Sequence, residues 1–270
     1  MSVRTAYDKA RAEGRAALVG YLPAGFPTYD GAVEMAKTMV DAGCDVIEIG
    51  LPHTDPLMDG PTVQDAVHRA LVGGIRVADV FRTVEAVAAT GAPTLVMTYW
   101  NPVDRYGVDA FARDLASAGG AGLITPDLTP EEGGAWLEAS DAHDLDRVFL
   151  VALSSTDERI EKITGVCRGF VYAASVMGVT GTRSAVDTGA PRLVERTRAI
   201  IDKGGSGLPV GLGLGISNGA QAAEVAGFAD GVIVGSAFIR RMLDAPDLAS
   251  GLAGVRALAE EMAEGIRAGR

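Results

Sequence analysis

Short apolar runs alternate with longer segments of helical period along the whole chain. Eight runs have the length and composition of buried strands, at Ala17–Leu22, Asp45–Leu51, Thr94–Tyr99, Gly122–Pro126, Arg147–Leu153, Gly169–Ala174, Pro209–Gly213 and Gly231–Gly235. Helical segments lie between them, at Tyr29–Ala42, Val77–Thr90, Asp109–Ala118, Pro130–Ala142, Asp157–Thr164, Pro191–Lys203 and Asn218–Ala226. Most of these segments end at a glycine shortly before the next strand, as helices commonly do.

This alternation predicts a parallel sheet with helices packed outside it. Eight such units in about 250 residues fit a closed (β/α)8 TIM barrel, and an open doubly wound sheet is the alternative. An extra N-terminal helix over Ser2–Gly14 is expected to plug one end of the barrel. Long irregular loops after strands 2 and 6, at Pro52–Gly60 and Val176–Gly189, are candidate lids. No linker divides the chain, so we expect a single barrel domain over residues 1–270.

Charge and composition exclude several classes of function. The net charge of −11 argues against binding to nucleic acid or to anionic lipid. The N-terminus lacks the apolar core of a signal peptide, and no apolar stretch approaches the ~18–20 residues that a membrane span needs. The expected location is therefore cytoplasmic. Cys44 and Cys167 each precede an apolar run and are interpreted as small buried hydrophobic residues.

Glu48 is an acidic residue inside a strand. Side chains alternate along a strand, so Glu48 lies on the face opposite Ile47 and Ile49, which are expected to pack on the outer helices. The carboxyl group of Glu48 should then point into the barrel near its C-terminal mouth. Burial would raise its pKa and suit it to proton transfer near neutral pH, although a buried pair with an arginine is the structural alternative.

The loop after this strand brings two more carboxylates over the mouth. Asp59 precedes Gly-Pro, where the backbone turns sharply, and could reach back toward Glu48. Asp55 is instead expected to brace the loop.

Glycines cluster at the ends of the last three predicted strands, at Gly178–Gly181, Gly211–Gly215 and Gly235. Glycine lets main-chain N–H groups approach an anion closely. A short helix over Ala237–Leu243 would add the positive end of its dipole. Loops after strands seven and eight are common phosphate sites in barrels, so these glycines predict a phosphorylated ligand.

Other chemistries find no support in the sequence. The four lysines all fall on predicted outer or N-terminal helices, where none can form a Schiff base inside the barrel: Lys9, Lys37, Lys162 and Lys203. The three histidines are widely spread, without metal-ligand spacing: His53, His68 and His143. What remains is carboxylate acid–base chemistry on a phosphorylated substrate, with no metal and no cofactor.

Several of these residues form the motifs of a known family. The stretch from Glu48 through Asp55 and Asp59 to Gln64 resembles the strand-two signature of the tryptophan synthase α subunit. Further matches follow in family order over nearly the whole chain, at Met97–Pro102, Pro126–Leu128, Phe170–Tyr172, Gly178–Arg183, Gly213–Ser217 and Gly235–Ser236. The strand-two signature is specific, whereas many phosphate-binding barrels share the glycine pieces.

The resemblance implies a lyase that cleaves indole-3-glycerol phosphate to indole and glyceraldehyde 3-phosphate, a retro-aldol step. Glu48 matches the family's acid–base carboxylate, and Asp59 its second carboxylate, which would accept the indole N–H. Tyr172 matches an active-site tyrosine and Tyr21 an aromatic that packs on the indole, although both could be plain core residues. The remaining residues assigned to the substrate and its phosphate are Thr180, Gly181, Gly213, Gly215, Gly235 and Ser236.

The resemblance also implies a partner. Family members dock a β subunit that carries pyridoxal phosphate, form an αββα heterotetramer and pass indole to that subunit for tryptophan biosynthesis. The Pro52–Gly60 loop and the region of Pro102 would lie at this interface. The sequence departs from the family pattern at His53-Thr54, at Pro23 and at Val151–Ser154, and the change at His53-Thr54 puts details of loop closure in doubt.

Three other functions stay open on sequence alone. The chain could be a stand-alone lyase that releases free indole. A phosphosugar isomerase or epimerase would need a second acid–base pair or a metal site, which the sequence does not offer. A catalytically dead scaffold for a β subunit is disfavoured because both Glu48 and Asp59 are present.

Overall fold

The computed structural model describes residues 2–174, 189–213 and 215–269. Its strands are β1 (Ala17–Pro23), β2 (Val46–Gly50), β3 (Thr94–Met97), β4 (Gly122–Ile124), β5 (Asp146–Val148), β6 (Leu150–Ala152), β7 (Val171–Ala174), β8 (Val210–Gly213) and β9 (Gly231–Val234). They form one parallel sheet in the order β5-β4-β3-β2-β1-β9-β8-β7-β6.

The two ends of this sheet meet at the fifth predicted strand. Only Phe149 separates β5 from β6, so the strand that begins beside β4 continues beside β7. The predicted (β/α)8 barrel is therefore confirmed, and the open doubly wound alternative is wrong.

Helices cover the outside of the barrel. In the described residues they are α1 (Arg4–Ala12), α2 (Tyr29–Asp41), α3 (Pro61–Val72), α4 (Val77–Ala88), α5 (Trp100–Tyr106), α6 (Val108–Ser117), α7 (Gly134–Ala142), α8 (Asp157–Val166), α9 (Ala190–Gly204), α10 (Gly219–Ala226), α11 (Ser236–Leu243) and α12 (Leu248–Ala268). None of these helices combines the length and the apolar character of a membrane-spanning segment.

Three helices have no counterpart among the predicted segments: α3, α5 and α12. α3 begins with Pro61 directly after its N-cap Gly60. α5 begins where the carboxylate of Asp127, far along the chain, accepts the backbone N–H of Trp100 at 2.9 Å, so local sequence does not reveal its start. α12 follows a local cap, in which the Asp247 side chain accepts from the N–H of Ser250. In addition, α7 begins at Gly134 rather than at Pro130, because residues 130–132 form a turn and Gly133 is the N-cap.

The strand alternation divides the core into two layers, as predicted. Ile47 and Ile49 belong to the layer between sheet and helices, whereas Val46 belongs to the cluster inside the barrel. α1 contributes Tyr7 to that inner cluster, and its N-cap residue Val3 also belongs to it, which confirms the predicted place of this helix at the N-terminal end of the barrel. The loop between β2 and α3 is irregular, as predicted; the predicted loop at Val176–Gly189 lies almost wholly outside the described residues.

Candidate active site

A cavity opens at the carboxyl ends of the barrel strands. It encloses about 490 Å³, including the solvent at its mouth. Seven predicted site residues line it: Tyr21, Glu48, Asp59, Tyr172, Gly215, Gly235 and Ser236. Four further lining residues were not predicted: Val63, Met97, Ile216 and Ile233. The cavity therefore brings both predicted carboxylates together with aromatic, apolar and glycine-rich walls.

Glu48 stands on β2 with its side chain inside the barrel. It is only 1% exposed, and its Oε1 atom has no hydrogen-bond partner among the described residues. No arginine or lysine of the described residues forms an ion pair with it, so this part of the chain offers no support for a structural ion pair. Burial alone raises the pKa of Glu48 to about 8. The group is therefore a neutral acid near pH 7 that can give up a proton and take one back.

Asp59 lies in the loop after β2 and is held there by its own backbone. Its carbonyl accepts the Nε2 donor of Gln64 at 2.7 Å, and its N–H donates to the carbonyl of Pro56 at 3.1 Å. The preceding N–H, that of Met58, donates to the hydroxyl of Tyr99 at 2.9 Å, which ties the loop to the end of β3. The carboxylate is thus free of these restraining bonds and lines the cavity.

The two carboxyl groups differ in protonation. Burial raises the pKa of Asp59 to about 6, two units below the value of about 8 for Glu48. At neutral pH the cavity therefore holds one protonated acid and one carboxylate. Two carboxyl groups whose pKa values differ in this way are suited to different tasks, one as a proton donor and the other as an anion. Asp55, by contrast, accepts a hydrogen bond from the hydroxyl of its neighbour Thr54 within the loop.

Two tyrosines flank Glu48. Tyr21 on β1 pairs in register with Glu48, so the two side chains leave adjacent strands at the same level. Tyr172 on β7 closes another side of the cavity. Its hydroxyl occupies the space in front of Gly213, where a Cβ atom would stand only 2.0 Å away. Gly213 is not among the lining residues of the cavity. The absence of a side chain at Gly213 leaves the space that the Tyr172 hydroxyl occupies.

The glycine-rich side of the cavity has the features of an anion site. Gly215 has φ +94°, a conformation that favours glycine, and it lines the cavity. Gly235 is the N-cap of α11 and Ser236 its first residue, so the positive end of this helix meets the cavity. The predicted phosphate residues Thr180 and Gly181 lie outside the described residues.

Two of the apolar lining residues, Met97 and Ile233, were predictable from the alternation of side chains along a strand, which also predicted the direction of Glu48. Met97 is two residues after Leu95, which belongs to the inner cluster, so both face the barrel interior. Ile233 follows this rule on β9. Val63 could not be found in this way, because it lies on α3 and strand alternation does not apply to a helix.

The remaining reactive side chains lie away from the cavity. All four lysines fall on helices of the outer layer or on α1, as predicted, and none lines the cavity. His53 packs against the ring of Tyr99 at 5.5 Å and is not a lining residue. The described residues hold no cluster of metal-binding side chains. Cys44 and Cys167 are buried and free, as predicted.

The fold and the cavity define a class of protein, namely a (β/α)8-barrel enzyme whose cavity holds two carboxyl groups of different pKa beside a helix N-terminus. Comparison with known proteins narrows this class. The family model of the tryptophan synthase alpha chain matches residues 7–267. The chain therefore belongs to the tryptophan synthase alpha chain family.

Relatives and solved structures match this chain over nearly its full length. A tryptophan synthase alpha chain of Salinispora arenicola is 62% identical over 265 residues, which cover 98% of this chain and 97% of the relative. One of Streptomyces coelicolor is 62% identical over 259 residues, covering 96% and 94%. A tryptophan synthase structure from Mycobacterium tuberculosis matches with a TM-score of 0.90 at 53% identity, covering 98% of each chain.

Family membership confirms the predicted function. The chain is a lyase that cleaves indole-3-glycerol phosphate and has an α-subunit role in tryptophan biosynthesis. The isomerase or epimerase alternative is thereby rejected.

Proposed function

We propose that Glu48 is the acid–base residue of the cleavage and that Asp59 binds the indole nitrogen. The observation that carries this proposal is the carboxyl group of Glu48, buried on the cavity wall without a hydrogen-bond partner for Oε1. A buried polar atom without a partner is costly, and a substrate that supplies the partner makes it useful.

The protons balance with Glu48 alone. Its protonated carboxyl group gives a proton to indole C3, and the bond between C3 and the glycerol chain breaks. The resulting carboxylate then takes the proton of the adjacent glycerol hydroxyl, which becomes the aldehyde of glyceraldehyde 3-phosphate. Glu48 ends in the state in which it began, so one buried group suffices for both transfers.

Asp59 stabilises the positive charge that this step creates on the indole ring. Protonation at C3 makes the indole ring cationic, and the positive charge reaches the ring nitrogen. An ionised carboxylate that accepts the indole N–H stabilises this state more than the neutral substrate, which lowers the barrier. The lower pKa of Asp59, about 6, keeps it ionised at neutral pH.

The walls and the glycine-rich side would orient the substrate. Tyr21 and Tyr172, with the apolar side chains of Met97 and Ile233, would hold the indole ring. The phosphate would lie at Gly215 and at the N-terminus of α11, next to Gly235 and Ser236. By resemblance, Gly181 and Thr180 would complete the phosphate site and its closing loop.

We further propose that the chain docks a β subunit in an αββα heterotetramer and passes indole to it in the cytoplasm. Leu57 supports such a contact, because it is 83% exposed at the tip of the loop that also carries Asp59. Pyridoxal phosphate would belong to the β subunit, and this chain would use no cofactor of its own.

The test is indole release from indole-3-glycerol phosphate by the purified chain and its variants. Glu48→Gln should lower kcat by about 10²-fold or more, because the amide can neither give nor take the proton. Asp59→Asn should lower it on the order of 10²-fold through lost charge stabilisation.

Glu85→Gln, an exposed change on α4, is the matched control and should keep full activity. Circular dichroism should show the same fold for all variants. A Glu48→Gln enzyme with near-normal turnover would overturn the assignment of Glu48.

A further inference from the structure

Tyr21 has a hydroxyl group that packing alone does not explain. The ring starts from β1 beside Gly235, where a Cβ atom would lie 2.9 Å from its Cδ1. Its tip points the other way, toward β2, and a Cβ atom on Gly50 would lie 2.4 Å from the hydroxyl. Gly50 ends β2, and the loop that carries Asp59 follows it. The ring therefore leans across the barrel mouth toward that loop.

Acidic groups surround this hydroxyl. The charge that most raises the pKa of Tyr21, after burial, is Asp59, followed by Glu48, with Tyr99 and Tyr172 behind them. A phenol beside two carboxyl groups stays protonated and can only be useful to them as a donor. Among the described residues the hydroxyl makes no hydrogen bond, so its proton is available within the cavity.

We propose that the Tyr21 hydroxyl donates a hydrogen bond to the Asp59 carboxylate when substrate is bound. This inference rests on the proposed role of Asp59 as acceptor of the indole N–H. A carboxylate has two oxygens, and the indole nitrogen occupies only one of them. A donor on the other oxygen fixes the plane of the carboxylate and keeps it ionised, which makes Tyr21 a positioning residue.

Tyr21→Phe isolates the hydroxyl, because the phenyl ring still fills the space in front of Gly50 and Gly235. We expect kcat to fall on the order of tenfold, the typical effect of losing one hydrogen bond to a charged group. The acid limb of the kcat profile, which reports the enzyme–substrate complex, should move up by about one pH unit. A ring that only packs on the indole would leave both quantities unchanged.

A double-mutant cycle shows whether Tyr21 acts through Asp59. In the Asp59→Asn background, Tyr21→Phe should have little further effect on kcat. Tyr172→Phe is the comparison, because its hydroxyl lies on the opposite side, in front of Gly213. Its effect on kcat should be the same in both backgrounds.

The outcomes separate this inference from the proposed function. If Asp59→Asn alone leaves kcat unchanged, the proposed role of Asp59 fails, and this inference fails with it. If Asp59→Asn is severe while Tyr21→Phe matches the wild-type rate and pH profile, only the inference is overturned. Equal effects of Tyr21→Phe with and without Asp59 would also overturn it, since the hydroxyl would then act independently.

Discussion

At the scale of single residues, several glycines inside the barrel leave the space that tyrosine side chains occupy. The hydroxyl of Tyr7 fills the space in front of Gly211 and Gly231, where Cβ atoms would stand 2.7 Å and 2.4 Å from it. Gly213 makes room for Tyr172 in the same way. The sequence pattern attributes Gly211, Gly213, Gly215 and Gly235 to anion binding, but only Gly215 and Gly235 line the cavity, whereas Gly211 and Gly213 make room for tyrosine side chains.

The split between the two carboxyl groups predicts a bell-shaped pH profile. The value of kcat/KM should rise as Asp59 ionises near pH 6 and fall as Glu48 loses its proton near pH 8. Steady-state rates across this range would measure both limbs. In Asp59→Asn the acid limb should disappear from the residual activity. Activity that keeps rising through the pKa of Glu48 would contradict a protonated Glu48 as the starting form.

Tyr7 carries a polar atom in an apolar setting. Its hydroxyl is buried and has no hydrogen-bond partner among the described residues. Tyr7→Phe should therefore raise the free energy of unfolding by about 1 kcal/mol, because the orphaned group is removed and the ring remains. Urea denaturation measures this difference.

Tyr106→Phe provides the contrast for this measurement. The Tyr106 hydroxyl donates to Asp114 at 2.6 Å on the surface, so its loss should not stabilise the protein. A loss of stability in Tyr7→Phe would mean that an internal water satisfies the Tyr7 hydroxyl.

At the scale of elements, α1 is fastened to the barrel by one acidic side chain. Asp146 at the start of β5 accepts the N–H of Val3 at 2.7 Å and the hydroxyl of Ser2 at 2.9 Å. The carboxylate is only 2% exposed. These bonds hold Val3 and Tyr7 in the inner cluster and so close the end of the barrel opposite the cavity.

Asp146→Ala should loosen this closure. It leaves the buried N–H of Val3 without an acceptor, which should lower the free energy of unfolding by about 2–3 kcal/mol. Chemical denaturation and limited proteolysis near the N-terminus would report the loss.

Asp8→Ala is the control on the same helix. It removes an exposed i,i+4 pair with Arg4 and should change stability little. If the two variants were equally stable, Asp146 would not be the fastening that we infer.

Elements with local signals were predictable, and those fixed by distant contacts were not. The eight strands followed from short apolar runs, because each strand is buried on both faces, against the outer helices and inside the barrel. α5 begins at a bond from Trp100 to Asp127, twenty-seven positions away. The interruption at Phe149 was equally invisible, since it arises where the strand passes from its pairing with β4 to its pairing with β7.

At the scale of the whole molecule, the loop after β2 links the cavity to the outer surface. Asp59 lines the cavity and Leu57 is exposed two residues earlier in the same loop. A β subunit that covers this tip would fix the position of Asp59. We therefore expect a tryptophan synthase β subunit to increase the rate of indole formation.

The measurement compares indole release with and without an added β subunit. Leu57→Asp should reduce the stimulation, because a charge at a covered apolar contact is costly, while leaving the rate of the isolated chain similar. Full activity of the isolated chain, unchanged by the β subunit, would favour the stand-alone lyase instead.

The sequence by itself determined the barrel, because eight strand-length apolar runs alternate with helical segments. It also determined the inward direction of Glu48, because side chains alternate between the two faces of a strand. Its motifs also carried the family resemblance and the pairing with Asp59. Only the tertiary structure decided that Glu48 has no ionic partner among the described residues, that burial raises its pKa above that of Asp59, and that the Tyr21 hydroxyl lies in front of Gly50, where the loop that carries Asp59 begins. These properties depend on which groups from distant strands and loops lie close together. The spacing of residues along the chain does not determine those distances.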